Sequence, residues 1–170
     1  MKKKYVKLGK YLVGDGHPPF LIAEISANHN QSIKKIFKLI DKISKSGAHA
    51  VKIQTYTPDS MTINIQSKNF KITDKKSPWK GKTLYDIYKK GSTPYKWHKK
   101  IFNYAKKRKI LCFSTPFDDH AVDFLEKLKT PFYKIASYEC VDIPLIEKVS
   151  KTRKPIIIST GAANFDEIKE

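Results

Sequence analysis

Five short apolar segments that alternate with helical patterns are the feature of this sequence that most limits its fold. Each segment is nearly continuous in apolar residues, which is typical of a strand buried on both faces of a parallel sheet. A regular alternation of strands and helices predicts such a sheet, with right-handed crossover connections. The five predicted strands are residues 20–25, 50–55, 110–114, 132–136 and 155–160.

The segments between these strands carry the signals of helix ends. The first predicted helix begins after Ser32, a residue able to cap it, and ends at Gly47. Four further helices are predicted to start at Pro94 as first helical residue, at Asp118 or Asp119, at Asp142 with Pro144, and at Asn164 with Glu167 as a capping box.

An eight-stranded barrel fits these elements better than a nucleotide-binding fold. No strand is followed by a G-x-G-x-x-G or P-loop motif. Each strand instead ends in different polar residues, as expected where the carboxyl ends of barrel strands meet. The predicted fold class is α/β, a partial TIM (β/α)8 barrel with about five of its eight strands. We therefore expect residues 1–170 to be the N-terminal part of a longer protein.

The connection after the second predicted strand is unusually long. Residues 56–92 separate that strand from the helix before the third, and they include a run of mixed aromatic and basic residues at 79–85. Connections of this length in compact domains are usually functional or disordered. Because this one leaves from a strand tip, we expect it to form a lid or a wall of the substrate site.

The charge of the chain raises the alternative of a nucleic-acid binder. The formal net charge is +18, but only two of the 34 basic residues are arginines, and the lysines are spread over nearly every segment. Nucleic-acid readers favour arginine and a localised basic patch. We therefore expect a lysine-rich surface that favours a small anionic substrate, with no nucleic-acid partner and no membrane partner.

The remaining bulk features suit a cytoplasmic protein. No run of 18 or more apolar residues is present, and residues 1–4 lack the apolar stretch of a signal peptide. Two cysteines, Cys112 and Cys140, are too few for a disulfide scaffold or a zinc site. We expect both to be small buried residues.

Polar residues at the strand tips form the candidate site. Two of them are lysines in strands that are otherwise apolar, and burying an ammonium group without a partner is costly. In chain order the tip residues are Glu24, Lys52, Gln54, Ser114, Thr115, Lys134, Ser137, Glu139, Ser159 and Thr160.

Two arrangements would stabilise the buried lysines. Lys52 and Lys134 could each pair with a carboxylate, Glu24 or Glu139, or they could hold an anion together with hydroxyl groups on neighbouring tips. We favour a phosphate-bearing substrate, with the two glutamates as candidates for acid–base chemistry. His29, just beyond the first strand, is expected to be a structural hydrogen-bonding residue rather than a metal ligand.

Five motifs in strand order resemble the sialic acid synthase family. They are residues 22–30 (IAEISANHN), 51–55 (VKIQT), 113–117 (FSTPF), 133–137 (YKIAS) and 158–161 (ISTG). Within that family, four segments look most like the pseudaminic acid branch: residues 17–20 (HPPF), 25–31 (ISANHNQ), 54–57 (QTYT) and 79–85 (WKGKTLY).

The resemblance implies a condensation of phosphoenolpyruvate with a 2,4-diacetamido-2,4,6-trideoxy hexose, giving pseudaminic acid and phosphate. The alternatives are a sialic acid synthase that acts on N-acetylmannosamine and an inactive fragment of either enzyme. The resemblance also implies a divalent metal, manganese or magnesium, with its ligands beyond residue 170 and none in this chain. A homodimer and a C-terminal antifreeze-like domain are implied for the full-length protein.

The resemblance also implies roles for the tip residues. Glu24 would act near the sugar aldehyde or the attacking water, and Glu139 would line the sugar and enolpyruvate side together with Gln54. The phosphoenolpyruvate ligands would be Lys52, Thr115, Lys134, Ser137 and Ser159.

Overall fold

The computed structural model describes residues 4–169 and contains two sheets. An antiparallel hairpin is formed by β1 (Tyr5–Leu8) and β2 (Tyr11–Gly14). The larger sheet has five parallel strands in chain order. They are β3 (Ile22–Glu24), β4 (Ala50–Thr55), β5 (Leu111–Pro116), β6 (Tyr133–Ile135) and β7 (Ile156–Ile158).

Helices connect the parallel strands. They are α1 (Ile33–Ile43), α2 (Pro58–Met61), α3 (Leu84–Gly91), α4 (Tyr95–Lys107), α5 (Asp119–Lys127), α6 (Ile143–Ser150) and α7 (Phe165–Lys169), with short 3₁₀ turns at Lys68–Phe70 and Glu139–Val141. Between residues 4 and 169 no helix has the length and apolar character needed to cross a membrane. Of residues 1–4, which lack the apolar stretch of a signal peptide, residues 1–3 lie outside the described residues.

The predicted partial barrel is confirmed by this sheet. All five predicted strands form, pair in parallel with their neighbours in sequence, and are joined through helices. The ends of β4 match the prediction, and the other ends differ by one or two residues: β3, β6 and β7 are shorter than predicted, and β5 extends to Pro116. Within residues 4–169, β3 and β7 are the two edges of the sheet.

The predicted helix starts are also confirmed, with small shifts. The side chains of Ser32, Asp118 and Asp142 each accept a hydrogen bond from a backbone N–H in the first turn of α1, α5 and α6. Two positions differ from the prediction. Pro94 lies one residue before α4 instead of within it, and α1 ends at Ile43, ahead of Gly47.

Residue alternation in each strand decides what the barrel interior contains. Val51 and Ile53 of β4 pack outward against the apolar face of α1, and successive side chains of a strand point to opposite faces. Ala50 therefore faces the interior, where it packs with Phe113. Lys52 and Gln54 follow Ala50 on that inner face, toward the carboxyl end of the strand.

The N-terminal hairpin closes the other end of the barrel and was not predicted. Leu8 is buried beside Ala50 and Phe132, close to the amino ends of the strands. Gly9 makes the tight turn with a φ of +61°, a conformation that glycine adopts at little cost. The hairpin thus covers the apolar floor of the barrel and leaves the strand tips open.

The outer face of β4 and β5 carries a buried chain of hydrogen bonds. The Nε2 atom of His98, in α4, lies 2.9 Å from the Thr55 hydroxyl oxygen. That oxygen lies 2.6 Å from the Ser114 hydroxyl oxygen. The His98 Nδ1 lies 3.2 Å from the Pro94 carbonyl oxygen, which can only accept a hydrogen bond. His98 is therefore neutral with its proton on Nδ1, and Thr55 donates to Nε2.

The hydrogen bonds among His98, Thr55 and Ser114 correct one prediction about the strand tips. Ser114 lies on the helix-facing side of β5, where its one hydroxyl hydrogen is directed to the Thr55 hydroxyl or to the Ile53 carbonyl oxygen, 3.1 Å away. Thr115, the next residue, occupies the inner face by alternation. Ser114 therefore holds neighbouring strands in register and does not line the site.

Replacement of His98 by alanine should lower the free energy of unfolding by about 2–4 kcal/mol. The change leaves a cavity and removes the acceptor of the buried Thr55 hydroxyl. Urea denaturation followed by circular dichroism measures the difference. Replacement of the exposed His120 by alanine is the matched control, and an equal loss in both variants would contradict the role assigned to His98.

Acid should destabilise the protein through the same histidine. Burial lowers the pKa of His98 from 6.5 to about 4, so the unfolded chain binds its proton at a higher pH than the folded chain does. This stabilising contribution is complete above pH 6.5 and is lost as the pH falls toward 4. The loss amounts to roughly 3 kcal/mol for one histidine.

The measurement is unfolding free energy against pH for the wild type and for His98→Gln. Glutamine cannot take up a proton, so the difference between the two curves should change by that amount between pH 6.5 and 4. Parallel curves over this range would show that His98 does not titrate as described.

Candidate active site

The inner faces of the first two parallel strands bring a carboxylate and an ammonium group together. Glu24 is paired in register with Lys52, and its Oε2 lies 3.2 Å from the lysine Nζ. Lys52 is only 7% exposed, whereas the Glu24 side chain is 55% exposed at the rim of the sheet. The ion pair expected as one alternative for Lys52 is therefore present, with its carboxylate open to solvent.

Lys134 on β6 has no such partner. Its ammonium group donates to the Ser159 hydroxyl and to the Ile135 carbonyl, and no carboxylate in residues 4–169 lies within 4.0 Å of it. Burial lowers the pKa of Lys134, and the positive charge of Lys52 lowers it further. Glu24 and Glu139 act in the opposite direction on this pKa but do not offset the shift.

The two lysines therefore share one electrostatic environment with excess positive charge. A group that carries negative charge would relieve both the desolvation of Lys134 and its repulsion by Lys52. A glutamate nearby does not fill that role, because burial raises the pKa of Glu139 and so disfavours its charged form. The anion-binding alternative fits Lys134 better than a carboxylate pair does.

Unsatisfied polar atoms surround the lysines. Thr115 Oγ1 and Glu139 Oε2 are buried, and neither has a hydrogen-bond partner in the described part of the chain. Buried polar atoms are rarely left unpaired, so each such case requires an explanation. An oxygen atom of a ligand would accept a hydrogen bond from the Thr115 hydroxyl, and a second would accept one from Glu139 in its protonated form.

The remaining predicted residues lie along the same edge. Gln54 is paired in register with Thr115 on the neighbouring strand. Ser137 follows β6, and its hydroxyl lies 3.6 Å from the position that a Cβ atom on Gly161 would occupy. The structure thus places Gln54 beside Thr115, and Ser137 beside the end of β7, where Ser159 also lies.

A cavity of about 700 Å³ opens beside Gln54. Its walls come from the β3–α1 loop on one side and from the long connection before α4 on the other. It is lined by Ala27, Asn28, Asn30, Gln31, Gln54, Tyr56, Trp79, Lys82, Ile87, Tyr88, Lys90 and Gly91. The prediction from sequence did not include Tyr56 or Tyr88, although the density of aromatic residues in the connection was a usable signal.

The long connection is anchored as a wall. Gln31 donates its side-chain amide to the carbonyl oxygens of Lys90 and Ser92, at 2.8 and 2.7 Å. His29 is fully buried, and its Nε2 lies 3.2 Å from the Gly91 carbonyl oxygen. Its Nδ1 accepts a hydrogen bond from the Gln31 backbone N–H. The structural role predicted for His29 is thereby confirmed, and the connection is held to the β3–α1 loop.

The described residues do not offer a metal centre. Among residues 4–169, no three His, Cys, Asp or Glu side chains are grouped so that they could hold a metal ion. Cys112 and Cys140 are free and buried, as predicted. Burial raises the pKa of the Cys112 thiol, which disfavours the thiolate that binds metals.

Comparison with known proteins identifies one matching family and several similar synthases. The sequence model of the NeuB family matches residues 39–170. A pseudaminic acid synthase of Helicobacter pylori is 45% identical over 90% of this chain and 44% of its own length. An N,N'-diacetyllegionaminic acid synthase of Campylobacter jejuni is 37% identical over 88% of this chain and 44% of its own length.

A solved structure gives the corresponding comparison of folds. The N-acetylneuraminic acid (sialic acid) synthetase of Leptospira borgpetersenii superposes with a TM-score of 0.83 at 25% identity, over 98% of this chain and 53% of that one. The chain therefore spans less than half the length of the curated relatives it matches.

Two substitutions should move the pKa of Lys134 in opposite directions. Lys52→Met removes a repelling charge and should raise it, whereas Glu24→Gln removes an attracting charge and should lower it. An NMR titration of the lysine Cε resonances measures both shifts. Lys148→Met, which removes a surface ion pair with Asp123, is the control and should leave this pKa unchanged. A pKa that does not respond to Lys52→Met would contradict the shared environment.

Proposed function

Because this chain belongs to the NeuB family, we propose that it forms the phosphoenolpyruvate-binding part of a nonulosonic acid synthase. The reaction is condensation with a 2,4-diacetamido-2,4,6-trideoxy hexose to give pseudaminic acid and phosphate. The observation that carries the proposal is the lysine pair at the strand tips, of which Lys134 has no carboxylate partner within residues 4–169. The identity to a pseudaminic acid synthase favours this sugar over N-acetylmannosamine.

Phosphoenolpyruvate matches the groups gathered at this edge. Its carboxylate and phosphate carry negative charge at both ends, which suits Lys52 and Lys134. Thr115 has a buried hydroxyl that finds no partner within residues 4–169, and it supplies a further donor to an anion. Ser137 and Ser159 supply hydroxyl groups at the ends of the last two strands, and Ser159 already accepts from Lys134.

The reaction forms one carbon–carbon bond to the aldehyde and one carbon–oxygen bond to water, and it breaks the carbon–oxygen bond to phosphate. The methylene carbon of phosphoenolpyruvate attacks the sugar aldehyde, and the aldehyde oxygen takes up a proton to become a hydroxyl group. Positive charge then develops at the enol carbon, water adds there and loses a proton, and the tetrahedral intermediate expels phosphate to leave the keto acid.

The two glutamates are suited to different proton transfers. Glu24 is held at the rim by its ion pair with Lys52, where its side chain can accept the proton of the attacking water. Glu139 has a raised pKa because it is buried, so it can hold a proton for an oxygen atom. Gln54, beside Thr115, lines the side on which the sugar enters.

The chain is proposed to be the N-terminal part of the synthase barrel. In support, β3 and β7 are edges of the described sheet, whereas the strands of a closed barrel are all paired. The remaining strands, an antifreeze-like domain, a homodimer contact and a divalent metal, manganese or magnesium, belong to the same proposal. Within residues 4–169, no three His, Cys, Asp or Glu side chains are grouped so that they could hold a metal ion. The roles described above are therefore those of side chains of this chain. A cytoplasmic location is proposed because phosphoenolpyruvate is made in that compartment.

Phosphoenolpyruvate binding should depend on both tip lysines. Lys52→Met and Lys134→Met should each weaken binding by at least about tenfold, since each removes a charge-assisted contact to an anion. Isothermal titration calorimetry at fixed salt measures the dissociation constants. Lys148→Met, on the outer surface, should bind as the wild type does. Equal weakening in all three variants would indicate a general effect of net charge and would contradict the site.

Phosphate release tests the reaction itself. Alone, the chain should not release phosphate, because β3 and β7 are unpaired edges within residues 4–169 and the barrel is not closed. A chimera that joins it to the C-terminal part of the Helicobacter pylori relative should release phosphate with the diacetamido hexose. Robust turnover by the chain alone, or turnover of the chimera with N-acetylmannosamine only, would contradict this proposal.

A further inference from the structure

The cavity beside Gln54 differs in chemistry from the lysine site that it adjoins. Aromatic and aliphatic side chains make up much of its wall, and the polar lining consists of four amide side chains and two rim lysines. No carboxylate is among its lining residues in the described part of the chain. Such a lining suits a neutral ligand with amide groups and apolar parts, since amides both donate and accept hydrogen bonds.

The direction of the cavity follows from the strand register. Gln54 lies two residues after Lys52, on the same inner face of β4, and is paired in register with Thr115. The inner end of the cavity therefore adjoins the phosphoenolpyruvate site, where the sugar aldehyde must react. The part of the sugar beyond C3 then extends away from Gln54 toward the other lining residues, among them Tyr88 and Trp79, which is 52% exposed.

We propose that Trp79 and Tyr88 determine which sugar is accepted, by enclosing the acetamido group on C4, which is the one farther from the aldehyde. The inference rests on the proposed function and adds to it the residues that select the substrate. N-acetylmannosamine has a hydroxyl group where the preferred sugar has this acetamido group, so it would leave the aromatic surface unfilled. Apolar contact with an acyl methyl group, together with hydrogen bonds from the amides, provides the discrimination.

The wall that carries these two residues is already formed. The Tyr56 ring packs edge-on against Tyr88, with ring centroids 6.0 Å apart. The Tyr56 hydroxyl lies 2.8 Å from where a Cβ on Gly91 would stand, so only glycine allows this approach. Tyr85 donates to Asp59 at 3.1 Å and ties α3 to α2. A wall held in this way can select a ligand by shape without first having to close.

The facing loop is held in a conformation that ordinary residues seldom adopt. Asn30 and Gln31 have φ values of +49° and +53°, and both line the cavity. Gln31 is held there by its bonds to the α3 end. Backbone conformations of this kind are retained where the surrounding structure imposes them, often beside a ligand. The amides of the loop are thus presented opposite the aromatic wall.

The natural tryptophans allow a direct test. The chain has two, Trp79 in the cavity wall and Trp97, which packs on the outer core beside His29. In Trp97→Phe, fluorescence reports on Trp79 alone. Titration with the 2,4-diacetamido-2,4,6-trideoxy hexose should give a saturable change, with a dissociation constant at least about tenfold lower than that for N-acetylmannosamine.

A second variant separates selectivity from binding in general. Trp79→Ala, studied by calorimetry with the same two sugars, should bring the two dissociation constants to within about threefold of each other. An unresponsive Trp79 would overturn the inference, as would equal affinity for the two sugars in Trp97→Phe. Retention of the full preference in Trp79→Ala would do the same.

Phosphoenolpyruvate titrated into the same proteins distinguishes this inference from the function on which it rests. If it binds with the expected dependence on Lys52 and Lys134 while the sugars are not distinguished, the specificity assignment fails and the proposed function stands. If the unsubstituted chain does not bind phosphoenolpyruvate, the proposed function itself fails.

Discussion

The structure depends on two ammonium groups being held on one face of a parallel sheet. Lys52 and Lys134 reach the barrel interior only because each occupies an inward position in a strand whose neighbours point outward. A slip of one residue would move both into the apolar layer against the helices. The outward hydrogen bonds among His98, Thr55 and Ser114 connect α4 to β4 and β5, and they hold that register from the opposite face.

The division of the barrel into a floor and a rim follows from the same alternation. Toward the amino ends of the strands, the interior is filled by Phe113 and Phe132 and is covered by the hairpin residue Leu8. Toward the carboxyl ends, the interior positions are polar and partly unsatisfied, as at Thr115. Stability is concentrated at the floor, and the groups able to bind an anion are concentrated at the rim.

Much of this arrangement could be predicted from sequence because buried parallel strands leave a strong local signal. The apolar runs around Val51 and Ile135 and the caps at Ser32 and Asp118 depend on near neighbours only, so they identify strands and helix starts. Ser114 was misplaced because the choice of face depends on a register that one residue reverses. The hairpin was missed because its short strands are largely exposed. The long connection was predicted to form a wall of the site, but Tyr56 and Tyr88 were not singled out within it because their contacts join segments far apart in the chain.

A crystal structure of the chain with phosphoenolpyruvate bound tests directly whether the two lysines hold an anion. We expect the ligand at the strand tips, with anionic oxygens within hydrogen-bond distance of Lys52 Nζ and Lys134 Nζ and a contact to Thr115 Oγ1. Binding at another basic surface, with Lys134 still bonded only to Ser159 and Ile135, would contradict it.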